Sequence, residues 1–204
     1  MIFLNLGCGG MRPPFIGVSR QLKAPGLDSP WINVDDLHKV FPDPELQERK
    51  NMDAEFNYKN CDIREGLDFP DDYADGILAS HFLEHLTVQE CLSFLRECKR
   101  VLRPGGVLRI SIPCAKRFYE LSVLSETAMV DWGEWCPHPE MTFMEWALFF
   151  FEHKQVLSAD GVLCMLWHLK FPERAEKQYQ ETWMRGLADL DTRPKFSAFI
   201  EARK

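Results

Sequence analysis

No apolar run in this chain reaches the ~18 residues a helix needs to cross a bilayer. Its densest aromatic stretch, Trp146 to Phe151, is far shorter. A membrane partner is therefore not expected. No signal peptide is expected either, since the start lacks a basic leader and Asn5 and the glycines interrupt its apolar stretch. Basic charge is also scarce. There are 24 Lys plus Arg against 31 Asp plus Glu, a formal charge of −7. Binding a phosphate backbone wants a basic surface, so nucleic acid is disfavoured as the main partner. Cysteine pairing motifs are missing: the seven cysteines are odd in number, scattered, and never in Cys-x-x-Cys spacing. That argues against a disulfide framework or a structural zinc site. It favours reduced, largely buried thiols and a cytoplasmic location. Repeats and low-complexity tracts are absent as well. What is left is a 204-residue chain, 46% apolar, sized for a single domain over 1–204 with a full core.

The most informative stretch that is present is the first ten residues, Met1-Ile-Phe-Leu-Asn-Leu-Gly-Cys-Gly-Gly10. Apolar residues around Asn5 read as a short buried strand. It runs into a turn at Gly7, Cys8, Gly9 and Gly10, where the lack of Cβ atoms lets main chain approach a ligand. Open α/β sheets bind nucleotides at such strand ends. Arg12 stands where a dinucleotide loop needs a third small residue, so the match to NAD is poor.

Further strands read as 31–35, 58–61, 75–79, 106–113, 180–185 and 195–202, after a first at 2–6. Prolines and glycines break up 11–30, and 36–57 is charged and irregular. The clearest helix is 88–102. Thr87-Val-Gln-Glu90 is a capping box, and Val88, Cys91, Leu92, Leu95, Cys98, Val101 and Leu102 form one apolar stripe. Pro104-Gly105-Gly106 stops it. Strand, helix, strand in that order implies right-handed parallel crossovers. The expected architecture is α/β, a doubly wound, seven-stranded, mostly parallel sheet. An aromatic-rich insertion follows strand five at 114–157. Between Ala115 and His153 stand nine aromatics in 39 positions, roughly twice the chain's 12%. This reads as a cap over the carboxyl edge of the sheet, with an extra helical layer or a homodimer face as the open alternative.

The ordered set of segments resembles the class I S-adenosylmethionine (SAM) dependent methyltransferases. Phe3 to Gly10 is similar to the family's first motif. Trp31-Ile-Asn-Val-Asp35 is similar to the second strand ending in an acid, and Cys61-Asp-Ile-Arg64 to the third. Phe69 to Leu86 resembles the fourth-strand region, and Arg100 to Pro113 the helix, turn and fifth strand. Arg193 to Ala202 resembles the last, antiparallel strand. The resemblance implies SAM as the cofactor. Asn5, Gly7, Cys8, Gly9 and Gly10 would cradle it, and Asp35 (or its neighbour Asp36) would take the ribose hydroxyls. Asp62 would accept from the adenine amino group with Ile63 as an apolar wall, and Ser80 and His81 would lie beside the methyl. Asp62 also reads as an ordinary cap. The family often has an acid where Asn5 stands and a glycine where Met11 stands.

His81, Glu84 and His85 are the candidate catalytic residues. A histidine near the methyl can act as general base for a hydroxyl; His85 is the first choice, with a capping role as its alternative. His81 and His85 at i, i+4 suit a metal pair on one helix face, but no third ligand is apparent and no metal is expected. His138 and His153 are further candidates near a cap, each expected to be structural. The leading function is methyl transfer to a small polar acceptor, a sugar or metabolite. The alternatives are a non-catalytic SAM-binding regulatory or scaffold domain, and a nucleotide-sugar binder on the same fold.

Overall fold

The structure, a computed structural model, describes residues 1–7, 31–35, 58–124, 153–189, 191 and 193–204. Its frame is one seven-stranded sheet in the order β3-β2-β1-β4-β5-β7-β6. The strands are β1 (Phe3–Leu6), β2 (Trp31–Asp35), β3 (Tyr58–Asn60), β4 (Ala74–Ser80), β5 (Leu102–Pro113), β6 (Glu173–Lys177) and β7 (Ser197–Arg203). The first five run parallel, and β7 pairs antiparallel with both β5 and β6.

β1 and β4 lie towards the centre, and nearly every residue of both is buried, as in strands covered on both faces. Alternation assigns the faces. Leu4, Ile77, Leu108 and Ile200 belong to the larger core, while Phe3, Trp31, Leu78, Val107 and Leu187 form a second cluster across the sheet. Helix α1 (Val88–Val101) closes the larger core with Cys91, Phe94, Leu95, Cys98 and Val101. Phe94 joins the expected stripe, whereas Val88 stays 47% exposed. The Thr87–Glu90 capping box is formed in both directions. Among the described residues two further helices follow, α2 (Ala115–Leu124) and α3 (Ala159–His168). Ser158 caps α3 by accepting from the Gly161 N–H, and α3 packs on β6 and β7.

The sixth strand is a correction. It forms at Glu173–Lys177, not 180–185. Two backbone donors of 180–185 go to buried carboxylates rather than to a ladder, and two more are spent within the turn, Glu181 N–H on the Gln178 carbonyl and Met184 N–H on the Thr182 hydroxyl. The Trp183 N–H donates to Glu201 Oε2 at 2.8 Å, and the Gln180 N–H donates to Asp191 Oδ2 at 2.9 Å. The true strand, Glu-Arg-Ala-Glu-Lys, is an edge strand, where charge is the usual guard against stray pairing.

Both carboxylates also hold Arg109, which is fully buried in mid-β5. Its guanidinium grips Asp191 with two bonds of 2.7 and 2.6 Å and donates to Glu201 Oε1 at 2.9 Å. A fourth donation reaches the Glu181 carbonyl at 2.8 Å. Burial pushes the guanidinium down, but the two carboxylates outweigh it and hold it above its usual range.

The 114–157 excursion leaves and returns at one place. Cys114 bridges to Leu157 in parallel, and the Ala115 N–H donates to the Leu157 carbonyl at 3.2 Å. The aromatic residues from Trp132 to Phe151 lie outside the described residues, as does His138, so the cap remains an expectation.

Candidate active site

The carboxyl ends of β1 and β4 meet at the Gly7 turn. Gly7 has φ +62°, and its N–H donates to the Val34 carbonyl at 3.0 Å. A Cβ there would stand 2.4 Å from the Phe82 ring. Glycine is thus required twice over, by conformation and by the close approach of the segment after β4. Phe82 in turn leans on Phe94 of α1, with ring centroids 5.1 Å apart.

β4 ends in a left-handed residue, His81, at φ +51°. Histidine is among the few side-chain-bearing types that visit this region. The His81 N–H is fixed by the Ser111 carbonyl at 2.8 Å, and Ser80 and Ser111 join their hydroxyls at 2.8 Å. A 3₁₀ turn, Leu83–His85, follows. His81 and His85 therefore do not lie on one helix, and the face that their i, i+4 spacing could have shared does not exist. The His81 ring reaches instead to Ser197 Oγ, with Nε2 at 2.7 Å. Its other nitrogen, Nδ1, lies 3.5 Å from Glu84 Oε1.

Glu84 is the centre of the cluster. The residue is 1% exposed, and neither carboxylate oxygen has a hydrogen-bond partner of good geometry. His153 Nε2 lies 4.0 Å from Oε1. The His153 and His85 rings meet edge to face at 4.8 Å. One ligand atom from each of Glu84, His85 and His153 can be chosen so that all three lie within 4.8 Å of one another.

His153 arrives from far along the chain and is clamped there. The Lys154 N–H donates to the Glu84 carbonyl at 2.8 Å. The Gln155 amide donates to the carbonyls of Leu86 at 2.8 Å and Leu83 at 3.2 Å. The returning strand of the excursion thereby becomes a wall of the site.

Burial dominates the electrostatics. It pushes His153 down to about 4 against the pull of Glu84, with His85, His81 and Arg193 adding to the fall. It likewise holds His81 below its usual range, despite Glu84. Burial pushes the Glu84 carboxyl up, but the adjoining imidazoles outweigh it and the net direction is down. The cluster thus sets the Glu84 carboxylate beside His81 and His153, whose charged forms burial disfavours, with the half-buried Arg193 close by.

The expected cofactor residues are partly in view. Asn5 is buried mid-β1 and Asp35 ends β2. Cys8, Gly9, Gly10 and the side chain of Asp35 lie outside the described residues. Ile63 is buried in the core. Asp62 does cap the 3₁₀ turn Ile63–Glu65, accepting from the Arg64 N–H at 3.1 Å, and its carboxylate is also gripped by the Arg64 guanidinium at 2.8 and 2.5 Å. Ser197, Arg193 and Gln155 were not legible as site residues, because nothing in their local pattern marks them. A depression of about 480 Å³, lined by residues including Glu173, Arg174 and Trp183, lies at the opposite, amino-terminal end of the parallel strands. Ligands of this fold bind at the carboxyl end.

The strand order, with its antiparallel β7 between β5 and β6, meets a direct match in sequence. Residues 18–110 fit the family model described as a methyltransferase domain. Over those residues the chain is similar to the SAM-dependent methyltransferases. The cofactor of that family is SAM. A mitochondrial ubiquinone biosynthesis O-methyltransferase of Mus musculus is 33% identical over 113 residues, covering 54% of this chain and 28% of the relative. A probable SAM-dependent methyltransferase of Mycolicibacterium smegmatis is 43% identical over 60 residues, 28% of this chain and 23% of the relative. The methyltransferase domain thus aligns with under a third of either relative's length. A SAM-dependent methyltransferase from Archaeoglobus fulgidus shares the fold, with a TM-score of 0.58 at 18% identity over 99% of this chain and 85% of that one. So does a putative O-methyltransferase from Nostoc punctiforme, with a TM-score of 0.56 at 15% identity over 100% of this chain and 52% of that one. Among the described residues no helix is long and apolar enough to cross a membrane.

Proposed function

We propose that the chain transfers the SAM methyl group to a hydroxyl oxygen of a small polar acceptor, a sugar or metabolite. The observation that carries this reading is the Glu84–His85–His153 cluster, set after β4 beside the Gly7 turn. Methyl transfer from a sulfonium is an in-line displacement, and orientation and exclusion of water do most of the work. A hydroxyl acceptor adds one requirement, since its proton must leave as the O–C bond forms and the C–S bond breaks. His85 is the group placed to receive it. Both His81 nitrogens already face Ser197 and Glu84, whereas the half-buried His85 ring meets only His153 among the described side-chain contacts. S-adenosylhomocysteine then leaves with the methylated acceptor. The 33% identity to an O-methyltransferase supports an oxygen acceptor.

Calorimetry with S-adenosylhomocysteine, followed by a turnover assay with a panel of hydroxylated metabolites, tests the reading. Binding is expected, and NAD should not compete. Asp35→Ala should weaken binding by about 1.5–3 kcal/mol, the range for a hydrogen bond to a charged group. His85→Gln should lower turnover by ~10²–10⁴-fold with cofactor affinity retained. Cofactor binding without turnover on any acceptor would favour the non-catalytic SAM-binding alternative.

A further inference from the structure

We propose that Glu84, His85 and His153 bind a divalent transition-metal ion on the acceptor side of the cofactor site. Three observations converge on this. Two imidazoles and one carboxylate are the donor set of open catalytic sites, which keep positions free for water or substrate. The three donor atoms already lie within 4.8 Å, and Glu84 Oε1 is 4.0 Å from His153 Nε2. Donors on one tetrahedral zinc stand about 3.3 Å apart, given bonds of about 2.05 Å, so closure needs shifts of about an ångström. The second observation is independent of the first. A carboxylate 1% exposed, with neither oxygen hydrogen-bonded, is a costly thing to leave unpartnered. An ion bound between Oε1 and the two imidazoles supplies the missing partner.

The third observation is the support around the donors. Lys154 and Gln155 clamp the His153 segment onto the loop that carries Glu84 and His85. His81, held by Ser197, points its second nitrogen at Glu84 Oε1, as an outer group that orients a ligating carboxylate does. Two imidazoles among three ligands select the borderline ions over magnesium or calcium. The Arg193 charge nearby opposes a cation, and the Glu84 carboxylate offsets it.

The inferred purpose rests on the methyl-transfer reading. An ion with open positions takes the acceptor oxygen, holds it in line and lowers the pKa of its hydroxyl. It would do by charge what the His85 imidazole otherwise does by taking the proton, and the two roles exclude each other in one state.

Cobalt(II) titration of the chelator-treated chain, read by visible d–d absorption, tests the ion apart from activity. One equivalent is expected, displaced by zinc, with no thiolate-to-cobalt charge-transfer band. Glu84→Gln and His153→Asn should each weaken cobalt binding at least tenfold, while S-adenosylhomocysteine binding reports that each variant is folded. A wild-type chain with no visible band, or a band that survives in both variants, overturns the site. A thiolate band would move the ion to the cysteines and overturn it equally. Cofactor binding is measured on the same samples. Its loss with cobalt binding intact sinks the methyl-transfer reading alone, and its survival without cobalt binding sinks the ion alone.

Discussion

Two buried carboxylate clusters lie at different depths of the same sheet, and they are built on opposite principles. Around Arg109, Asp191 receives two guanidinium bonds of 2.6–2.7 Å. Glu201 takes a third, together with the Thr182 hydroxyl at 2.5 Å and the Trp183 N–H at 2.8 Å. Around Glu84 the carboxylate is just as buried, and no oxygen is hydrogen-bonded. Charge in a low dielectric is tolerated only when paired and fully bonded. The first cluster satisfies that rule and acts as scaffold, pinning the Gln178–Asp191 turn to β5 and β7. The second breaks it, and a fold keeps such a group where something from outside completes it.

Four substitutions put the contrast at risk. Arg109→Met should cost about 3–5 kcal/mol in urea unfolding, because it strands two buried carboxylates. A cost below about 1 kcal/mol would show that the scaffold cluster is no scaffold. Glu84→Gln should shift stability by less than about 1 kcal/mol in the same assay, since no bond is lost and a buried charge is removed. A loss as large as that of Arg109→Met would mean Glu84 is structural after all. Thr87→Ala should cost about 1 kcal/mol, the usual worth of a helix cap, and calibrates the scale between the two.

The smallest effect belongs to Glu90, a half-buried carboxylate that has the bonded partners Glu84 lacks. The Thr87 backbone N–H and hydroxyl, then Lys154, pull it from 4.5 to about 2. A folded-state pKa below the unfolded one means its contribution is complete above about pH 4.5 and is lost as pH falls towards 2. Wild type should therefore exceed Glu90→Gln in stability at pH 7, and the gap should close across that window in thermal melts. A gap independent of pH would assign it to something other than the carboxylate's charge.

The same contrast explains what could be read from the chain. β1, β4 and the helix behind the Thr87–Glu90 box follow from local pattern, because apolar runs and caps are local signals. So does the placement of Glu84 and His85 after β4. The Glu173–Lys177 strand was missed because an edge strand carries no apolar alternation, while Gln180–Arg185 looked stranded yet spends its donors on Asp191, Glu201 and its own turn. Arg109 was hidden inside an alternating strand, its partners 82 and 92 residues further along. His153 was read as structural, since no sequence spacing ties it to a loop that starts before residue 90. Only the clamp by Lys154 and Gln155 brings it in. The i, i+4 reading of His81 and His85 failed because a left-handed residue and a 3₁₀ turn replace the helix it assumed.

The Cys114–Leu157 closure has a consequence for how the chain between its two ends can vary. Because the excursion departs and rejoins at one point, the sheet registers nothing of its length, and the entropy of closing a longer loop grows only as its logarithm. A change of length between residues 125 and 152 should thus leave β5, β7 and α3 in register. Such a change must end short of His153, however. From that residue onward the returning chain carries His153 and the Lys154 and Gln155 contacts that hold it beside Glu84, so a graft one residue too long would cost the cluster itself.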